Sequence, residues 1–154
     1  MKIVRASVEQ RLEALELLAE YYEAVDVVKR DTLADVEGFL RDEAAGLWIA
    51  YVEEIPAGCV VLRPLASMGS AGECKRLYVR SRFRGRGIAE ALLDAMEDYG
   101  RVLGLKEIYL DSKDDLTVAI NLYRKRQYEP CAPYNDNPQA TIFMRKVLTA
   151  LEEL

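Results

Sequence analysis

The first part of the chain alternates short apolar segments with one-sided helical stripes. Residues 2–6 have the pattern of a short strand, and Ser7 with Gln10 forms a capping-box pattern that opens a helix. The apolar side chains of this helix fall on one face: Leu12, Leu15, Leu18, Ala19 and Tyr22. Thr32 is a residue type expected at a helix N-cap, and it predicts a second helix that ends near Gly46. The pattern therefore predicts one strand followed by two helices.

Two apolar runs come next and predict a β-hairpin. They cover residues 47–52 and 59–62, and the segment between them, 53–58, contains a proline and a glycine. Residues 64–72 consist mainly of small side chains and glycines, which is typical of a loop. The chain thus returns to strands after the two helices.

The rest of the chain continues to alternate strands and helices. Apolar periodicity predicts strands at 73–79, 106–110 and 141–148 and a helix at 116–126. The longest helical stripe consists of Ile88, Leu92, Ala95, Met96, Tyr99 and Leu103. Gly104 is the expected C-terminal cap of this helix. The order of elements is a mixture of α and β, which places the chain in the α/β (mixed α+β) class.

Length and composition restrict the class of protein further. With 154 residues, 51% of them hydrophobic, we expect one folded domain over residues 1–154. Cys59, Cys74 and Cys131 are too few for a disulfide scaffold, which favours a reducing, cytoplasmic location. No apolar run is long enough to span a bilayer, so no membrane partner is expected. The chain has no histidine, which excludes histidine-ligated zinc and histidine-based triads, and no metal is expected.

Positive charge is concentrated in one segment of an acidic protein. The net charge is −5, and residues 75–89 contain six cations and no acid, which leaves −11 for the rest of the chain. This acidic remainder argues against a nucleic-acid partner. By long-range steering it favours a cationic acceptor molecule, although salt screens most of that effect.

The basic segment contains a candidate anion site. Arg82, Arg84, Gly85, Arg86 and Gly87 lie between a predicted strand and the first turn of a predicted helix. A helix N-terminus offers unpaired N–H groups, and glycine lets a phosphate approach them closely. Glycines that only shape the turn are the alternative interpretation. The segment lacks both the Walker sequence and the three-glycine dinucleotide pattern, so another phosphate-bearing ligand is implied.

Arg82, Gly85 and Gly87 form a motif with fixed spacing: Arg, two residues, Gly, one residue, then Gly. With other pieces of the chain, this motif resembles the GNAT superfamily of acyl-CoA-dependent acyltransferases, whose signature is Arg or Gln, two residues, Gly, one residue, then Gly or Ala. The other similar pieces are the family's central strand at 73–79, the helix start at 87–93 and the late alanine-to-tyrosine helix at 119–123. Agreement of the signature and these separated pieces in order and spacing makes the resemblance specific.

The resemblance implies a fold and a cosubstrate. The fold is a central mixed, largely antiparallel sheet, splayed between strands 4 and 5 and flanked by about four helices. The cosubstrate is acetyl-CoA, with its pyrophosphate at the helix N-terminus and its pantetheine arm along the splayed strand, where a bulge near Tyr78 is expected. One backbone N–H there would polarise the thioester carbonyl. The implied cofactor-binding residues are Leu77, Tyr78, Val79, Arg82, Arg84, Gly85, Arg86, Gly87, Ile88 and Ala89.

Acetyl transfer to an amine also needs a group that removes a proton, because an alkylammonium has no free lone pair. Glu73 is the candidate: in an unbulged strand it shares a face with Leu77 and Val79, and apolar neighbours can raise the pKa of a carboxyl. Asp111, at the end of the adjacent strand, is a weaker substitute. An exposed acid, or one paired with Lys75 or a cation of a neighbouring strand, is the alternative for Glu73.

The departing CoA thiolate gains from a proton donor, and Tyr123 holds the position of the family's tyrosine. A core aromatic is the alternative for Tyr123. Two positions depart from the family's pattern. Leu116 stands where an asparagine is common, which puts one pantetheine contact in doubt, and Gln127 stands where a glycine is usual.

The expected acceptor is a small-molecule primary amine that attacks acetyl-CoA directly in a ternary complex. Residues 133–138 contain prolines and Asx residues, which favour a structured turn with Tyr134 and Asn135 at the acceptor's entrance. An ordinary surface hairpin is the alternative for this turn. A protein or peptide amine as acceptor, a non-catalytic acyl-CoA-binding or sensing domain, and a homodimer stay open.

Overall fold

The computed structural model describes residues 1–149, and within them seven strands form one sheet flanked by four helices. The strands are β1 (Lys2–Arg5), β2 (Gly46–Val52), β3 (Ile55–Pro64), β4 (Ala71–Val79), β5 (Glu107–Ser112), β6 (Glu129–Pro130) and β7 (Ile142–Val147). The helices are α1 (Arg11–Ala24), α2 (Leu33–Arg41), α3 (Ile88–Val102) and α4 (Thr117–Lys125). The strand order is β1-β2-β3-β4-β5-β7-β6. Of the described neighbours only β4 and β5 are parallel, so the mixed, largely antiparallel sheet is confirmed.

Both N-terminal caps that the sequence predicts are present, but the first opens a short 3-10 turn and α1 begins only at Arg11. The side chain of Gln10 accepts a hydrogen bond from the N–H of Ser7 at 2.8 Å, in a short 3-10 turn that leads into α1. Thr32 and Asp35 cap each other reciprocally at the start of α2, over 3.1 and 2.9 Å. The predicted end of α2 near Gly46 is wrong, because Gly46 is already the first residue of β2.

The hairpin between β2 and β3 turns over two residues only. Glu53 and Glu54 both have positive φ, 51° and 68°, as a two-residue type I′ turn requires. The predicted connection over 53–58 is therefore too long, and Gly58 lies inside β3. A Cβ at Gly58 would lie 2.5 Å from the carbonyl oxygen of Tyr78, so this glycine permits a close approach of β3 to β4.

The two faces of the sheet carry separate hydrophobic cores, because successive strand residues point to opposite faces. One core lies under α1 and α2 and includes Leu17, Leu18, Val36, Leu40, Leu47, Ile49, Cys59 and Val61. The other lies under α3 and α4 and includes Trp48, Ala50, Val60, Leu62, Cys74, Leu92, Leu93, Met96 and Tyr123. The sheet is thus covered on both faces, with helices from different parts of the chain.

A bulge in β4 changes its pairing with β3. Cys59 and Val61 of β3 are two residues apart, whereas their partners Tyr78 and Lys75 are three residues apart. Arg76 lies at this point with φ of 58°, in the left-handed region. The bulge is therefore two residues before its expected position near Tyr78.

The bulge also decides which side chains of β4 face which layer. Cys74, Leu77 and Val79 all pack against the core under α3, although Cys74 and Leu77 are three residues apart. Strand alternation places Glu73 on the opposite face from Cys74. The expectation that Glu73 shares a face with Leu77 and Val79 is therefore wrong, because it assumed an unbulged strand.

β4 and β5 pair over three residues and then separate. The pairs are Ala71 with Glu107, Gly72 with Ile108 and Glu73 with Tyr109. Beyond Glu73 the two parallel strands have no further pairing, which confirms the expected splay between strands 4 and 5. Within residues 1–149, no helix combines the length and the hydropathy needed to cross a membrane.

Candidate active site

The separated strands open a cleft of about 1190 Å³. β4 forms one wall, and β5 with α4 forms the other. The N-terminus of α3 closes one end, and the segment after α1 together with the loop before β7 lines the opposite end. Predicted site residues that line the cleft are Leu77, Tyr78, Val79, Arg84, Gly85, Gly87, Ile88, Ala89, Tyr123 and Asn135.

The α3 end of the cleft offers backbone N–H groups. Gly87 is the N-cap of α3 with φ of 77°, and no side chain caps the helix there. A Cβ on Gly87 would meet nothing closer than 3.8 Å, and one on Gly85, also at φ of 77°, nothing within 4 Å. The positive φ explains the need for glycine, and the open space beside it leaves the first-turn N–H groups accessible. This end can therefore bind an anion such as a phosphate.

Among the arginines of this loop, only Arg84 lines the cleft. Its Nε donates to the carbonyl oxygen of Val79 at 3.0 Å, which holds the side chain beside the helix N-terminus. Arg82 and Arg86 instead lie over the ring of Phe83, with 4.6 and 5.6 Å between guanidinium carbon and ring centroid. They line a separate cavity of about 370 Å³. The structure therefore does not bring these two predicted cofactor residues into the cleft.

Tyr123 of α4 lines the cleft and is 7% exposed. Its ring packs edge-on against Tyr128, with 5.7 Å between centroids, and the hydroxyl of Tyr128 donates to Glu97. Burial raises the pKa of Tyr123 well above its ordinary value, so the phenol stays protonated at neutral pH. No side-chain hydrogen bond engages the Tyr123 hydroxyl within residues 1–149, which leaves this proton available for donation.

Glu73 is fully buried and lies where β4 and β5 separate. Nε of Arg63, on the neighbouring strand β3, donates to one carboxylate oxygen at 2.7 Å, and the hydroxyl of Tyr134 donates to the other at 2.6 Å. Nζ of Lys75 lies 3.6 Å from the same carboxylate. Both carboxylate oxygens of Glu73 therefore already have partners. This arrangement corresponds to the alternative in which Glu73 is paired with a cation of a neighbouring strand.

The loop before β7 is anchored on the sheet. Asn135 donates to Asp111 at 2.7 Å, and the ring of Tyr134 packs between Tyr109 and Phe143, with centroids 5.2 and 5.7 Å away. Burial, followed by the hydrogen bond to Glu73, raises the pKa of Tyr134. These contacts make the loop part of the cleft rather than a surface hairpin.

Asp111 completes a small charged network at the splay. Its carboxylate lies 3.7 Å from Nζ of Lys75, which also faces Glu73. Asn135 connects the two carboxylates, because its amide nitrogen also lies 3.5 Å from Glu73. The described residues contain no group of three or more potential metal ligands.

A buried ion pair that sequence reasoning missed fixes the segment after α1. Arg76 donates to the two oxygens of Asp31 over 2.9 and 3.1 Å, and both side chains are almost fully buried. The hydroxyl of Tyr22 accepts from Arg76 at 2.6 Å and donates to Asp31 at 3.0 Å. Burial raises the pKa of Tyr22 to about 12. Because Arg76 and Asp31 are 45 residues apart, no local pattern could have indicated this pair.

A contact also crosses the cleft at this end. Nζ of Lys113, just after β5, donates to the carbonyl oxygen of Val25 at 2.9 Å. The segment after α1 is therefore held at two points: Arg76 of β4 binds its Asp31, and Lys113 binds the carbonyl oxygen of its Val25.

The sheet with its splayed parallel pair and the glycine turn before α3 define an acyltransferase of the GNAT type. The sequence model described as the Acetyltransferase (GNAT) family matches residues 11–128. The chain belongs to this family.

Two curated relatives are similar to parts of the chain. An uncharacterized N-acetyltransferase of Schizosaccharomyces pombe is 35% identical over 89 residues, which is 57% of this chain and 54% of the relative. An IAA acetyltransferase of Azospirillum brasilense is 36% identical over 83 residues, 52% of this chain and 54% of the relative. The chain spans about half the length of the curated relatives that it matches.

Solved structures share the fold over nearly the whole chain. A GNAT-family acetyltransferase from Staphylococcus aureus Mu50 superposes with a TM-score of 0.81 and 17% identity, over 96% of this chain and 99% of that one. PaiA N-acetyltransferase from Thermoplasma acidophilum, solved with coenzyme A, gives a TM-score of 0.78 and 15% identity over 95% and 98%. At these identities the similarity establishes the fold.

Proposed function

We propose that the protein transfers the acetyl group of acetyl-CoA to a primary amine of a small molecule, by direct attack in a ternary complex. The observation that carries the proposal is the cleft with two different ends. One end presents the uncapped N-terminus of α3, and the other presents buried charged side chains. Family membership supports acyl-CoA as the donor.

The phosphates of acetyl-CoA are assigned to the α3 end. The N–H groups of the first helical turn and the guanidinium of Arg84 would donate to them. The amide-rich pantetheine arm would then follow the unpaired edge of β4 at Leu77 and Tyr78, as a peptide adds to a sheet edge. This direction brings the thioester to the splay, close to the network of Glu73 and Asp111.

The transfer requires one bond to form and one to break. The amine nitrogen attacks the thioester carbon, a C–N bond forms and the C–S bond breaks. The ammonium form first loses one proton to solvent water, which frees the lone pair for attack, and the nitrogen loses its second proton as the C–N bond forms. This second proton passes through water to the Glu73–Asp111 network, and water is needed because both oxygens of Glu73 already accept hydrogen bonds from Arg63 and Tyr134. The CoA thiolate takes a proton from Tyr123, which the proton from the amine then restores.

The covered acceptor end supports a small molecule rather than a protein as the acceptor. The contact between Lys113 and Val25 crosses the cleft, and Asn135 binds Asp111 from the loop before β7. A polypeptide acceptor needs an open groove for the residues on either side of its amine. A small amine needs only the space between the two covers.

The direct test is calorimetric titration with acetyl-CoA, CoA and ATP, together with thioester loss over a panel of small primary amines and peptides. We expect acetyl-CoA and CoA to bind, ATP to bind more weakly, and thioester loss to depend on a small amine. Turnover on peptides alone would contradict the assigned acceptor. CoA binding without turnover on any amine would favour a non-catalytic acyl-CoA-binding domain.

A further inference from the structure

We propose that the acceptor amine also carries a carboxylate, and that this carboxylate binds at the acceptor end of the cleft among Lys29, Lys75 and Arg76. This inference rests on the proposed function and specifies the substrate class of the same cleft. The inference rests on a difference between the charged groups of the cleft: the cations have unused hydrogen-bond donors, whereas the carboxylates are already paired.

Lys75 projects into the cleft with donors to spare. Its side chain is only 18% exposed, and its Nζ lies 3.6 Å from Glu73 and 3.7 Å from Asp111. Both distances are beyond a normal N–H···O hydrogen bond. An ammonium group has three donors, and leaving donors unpaired in a mostly buried position costs free energy. An acceptor atom of a ligand between these groups would satisfy Lys75.

Arg76 adds a second incompletely paired cation behind the same wall. It is 5% exposed and binds Asp31 through Nε and Nη2, but its buried Nη1 has no hydrogen-bond partner in the described part of the chain. The carboxylate of Asp31 thus satisfies only part of the Arg76 guanidinium, and the Nη1 donor stays unsatisfied. Charge at this depth acts over a longer distance than it does in water.

Lys29, in the segment after α1, is the third cation. It lines the cleft, and no carboxylate within residues 1–149 lies within 4.0 Å of its ammonium group. Burial lowers the pKa of Lys29, and the charges of Arg76, Arg63 and Lys75 lower it further against the opposing effect of Asp31. The surroundings of Lys29 are therefore positive, and an anion bound there would relieve this repulsion.

The carboxylates of the site already have partners. Glu73 accepts from Arg63 and Tyr134, Asp111 accepts from Asn135, and Asp31 is bound by Arg76. A second cation would have to compete with these bonds, whereas an incoming carboxylate meets open donors. An ammonium group carried by the same molecule would find the Glu73–Asp111 network beside it.

The lining of the whole cleft has the same sign. Six cations line it, namely Lys29, Arg63, Lys75, Arg76, Arg84 and Lys113, against three acids, Glu90, Asp111 and Asp115. Glu73 and Asp31 are not among the lining residues but pair with Arg63 and Arg76, and an excess of one positive charge remains when they are included. Of these cations only Arg84 belongs to the loop at the α3 end, so the others are not needed for the phosphates. The net charge of the protein favours a purely cationic acceptor, whereas the cleft favours an acceptor that also carries a carboxylate. The two differ because the acidic excess of the protein lies outside the cleft.

The test compares amines that differ only in the carboxylate. Initial rates of acetyl-CoA consumption are measured for phenylalanine against phenethylamine, lysine against cadaverine, and each amino acid against its amide. We expect kcat/KM to be about tenfold or more higher for at least one amino acid than for its decarboxylated and amidated partners, the effect of a hydrogen bond to a charged group.

Two variants locate the effect, and a third is the control. Lys75→Met and Lys29→Met are expected to reduce the preference for the carboxylate to near unity while the affinity for CoA stays unchanged. Lys125→Met removes an exposed lysine of α4 that does not line the cleft, and it should leave the preference intact. Because Lys29 is exposed, its variant remains informative even if Lys75→Met folds poorly.

The outcomes separate this inference from the proposed function. Acetylation of both members of every pair at equal rates would overturn the carboxylate site and leave small-amine acetyl transfer in place. A preference that Lys29→Met and Lys75→Met leave intact would also overturn the assigned site. If CoA binds but no amine of any kind is acetylated, the proposed function fails, and this inference fails with it.

Discussion

The hydroxyl of Tyr134 lies 2.6 Å from Oε2 of Glu73 and connects the loop before β7 to the point at which the sheet separates. The two residues are 61 positions apart, and the sequence suggested separate roles for them, one at the acceptor and one in proton transfer. Their hydrogen bond couples the two side chains, so neither can be changed without affecting the other. A change at Tyr134 therefore alters the surroundings of the carboxylate and the anchoring of the loop whose next residue, Asn135, lines the cleft.

We expect Tyr134→Phe to impair the acceptor step without affecting cosubstrate binding. Loss of the hydroxyl leaves one oxygen of a buried carboxylate without its closest donor, and such a loss costs about 1–3 kcal/mol. kcat/KM for the amine should fall by about tenfold or more, whereas calorimetric affinity for CoA should not change. Tyr51→Phe, which removes a hydroxyl bound to Glu13, is the control outside the cleft. A similar loss in both variants would contradict a specific role for Tyr134.

Gly87→Val should weaken CoA binding by about tenfold or more, because a branched side chain would occupy the space beside the first-turn N–H groups of α3. Gly104→Val is a matched control, since Gly104 follows the other end of α3 at φ of 78° and has no atom within 4 Å of its would-be Cβ. Both variants should lose a similar stability of about 1–2 kcal/mol from the left-handed backbone. Calorimetry and urea unfolding separate the two effects. Unchanged CoA affinity in Gly87→Val would contradict the assigned phosphate site.

Tyr123→Phe should lower kcat by about 100-fold, the lower range for a general acid, with little change in CoA affinity. Because burial raises the pKa of Tyr123 well above its ordinary value of 10.0, the donor form persists throughout the neutral and moderately alkaline range. Rising pH should therefore cause no loss of wild-type activity through this residue below about pH 10. Full activity in the variant would return Tyr123 to a purely structural role in the core.

Asp31→Ala should strongly destabilise the protein, by about 3–5 kcal/mol, because it leaves the guanidinium of Arg76 buried without its counter-ion. Glu16→Ala removes a carboxylate that is 67% exposed and pairs with Arg80, and it should change stability by no more than about 0.5 kcal/mol. Urea unfolding of both variants gives the comparison. Equal effects would show that burial of the Arg76 pair does not govern its contribution.

CoA should protect the free edge of β4 from hydrogen exchange. The strand pairs with β5 only as far as Glu73, so amides of residues 77–79 that face the split have no strand partner there. Exchange at these amides should slow when CoA is added, whereas residues 48–50 of β2, paired with β1 and β3, should not change. Absence of protection at 77–79 would contradict the assigned path of the pantetheine arm.

Features that depend on neighbouring residues could be predicted from the sequence. The capping pairs Ser7–Gln10 and Thr32–Asp35 and the glycine at the C-terminus of α3 follow from local hydrogen bonding and backbone geometry. The order of strands and helices and the family signature follow from apolar spacing and from residues a few positions apart. These local signals were sufficient for the mixed α/β class, and the family resemblance then implied the splayed sheet, but the two-residue strand β6 was not predicted.

Features that depend on residues far apart in the chain could not be predicted. The bulge lies at Arg76, where the register with β3 shifts and where the side chain is paired with Asp31, and neither feature has a local pattern. The basic composition of the loop before α3 did not indicate that Arg82 and Arg86 stack on Phe83, away from the cleft. Charge along a sequence says how many cations a loop has, but not the direction in which each side chain points.

Only three residue pairs join β4 to β5, so few backbone hydrogen bonds hold the sheet together beside the cleft. The part formed by β5, β7 and α4 carries Tyr123, whereas the glycine turn before α3 belongs to the part that contains β4 and α3. Glu97 of α3 also binds Arg126 at the end of α4 and Lys146 of β7, so these ion pairs and the three strand pairs together set the width of the cleft between the two parts. Substitutions that tilt one half against the other could therefore retune which amine is accepted without altering any residue that touches it.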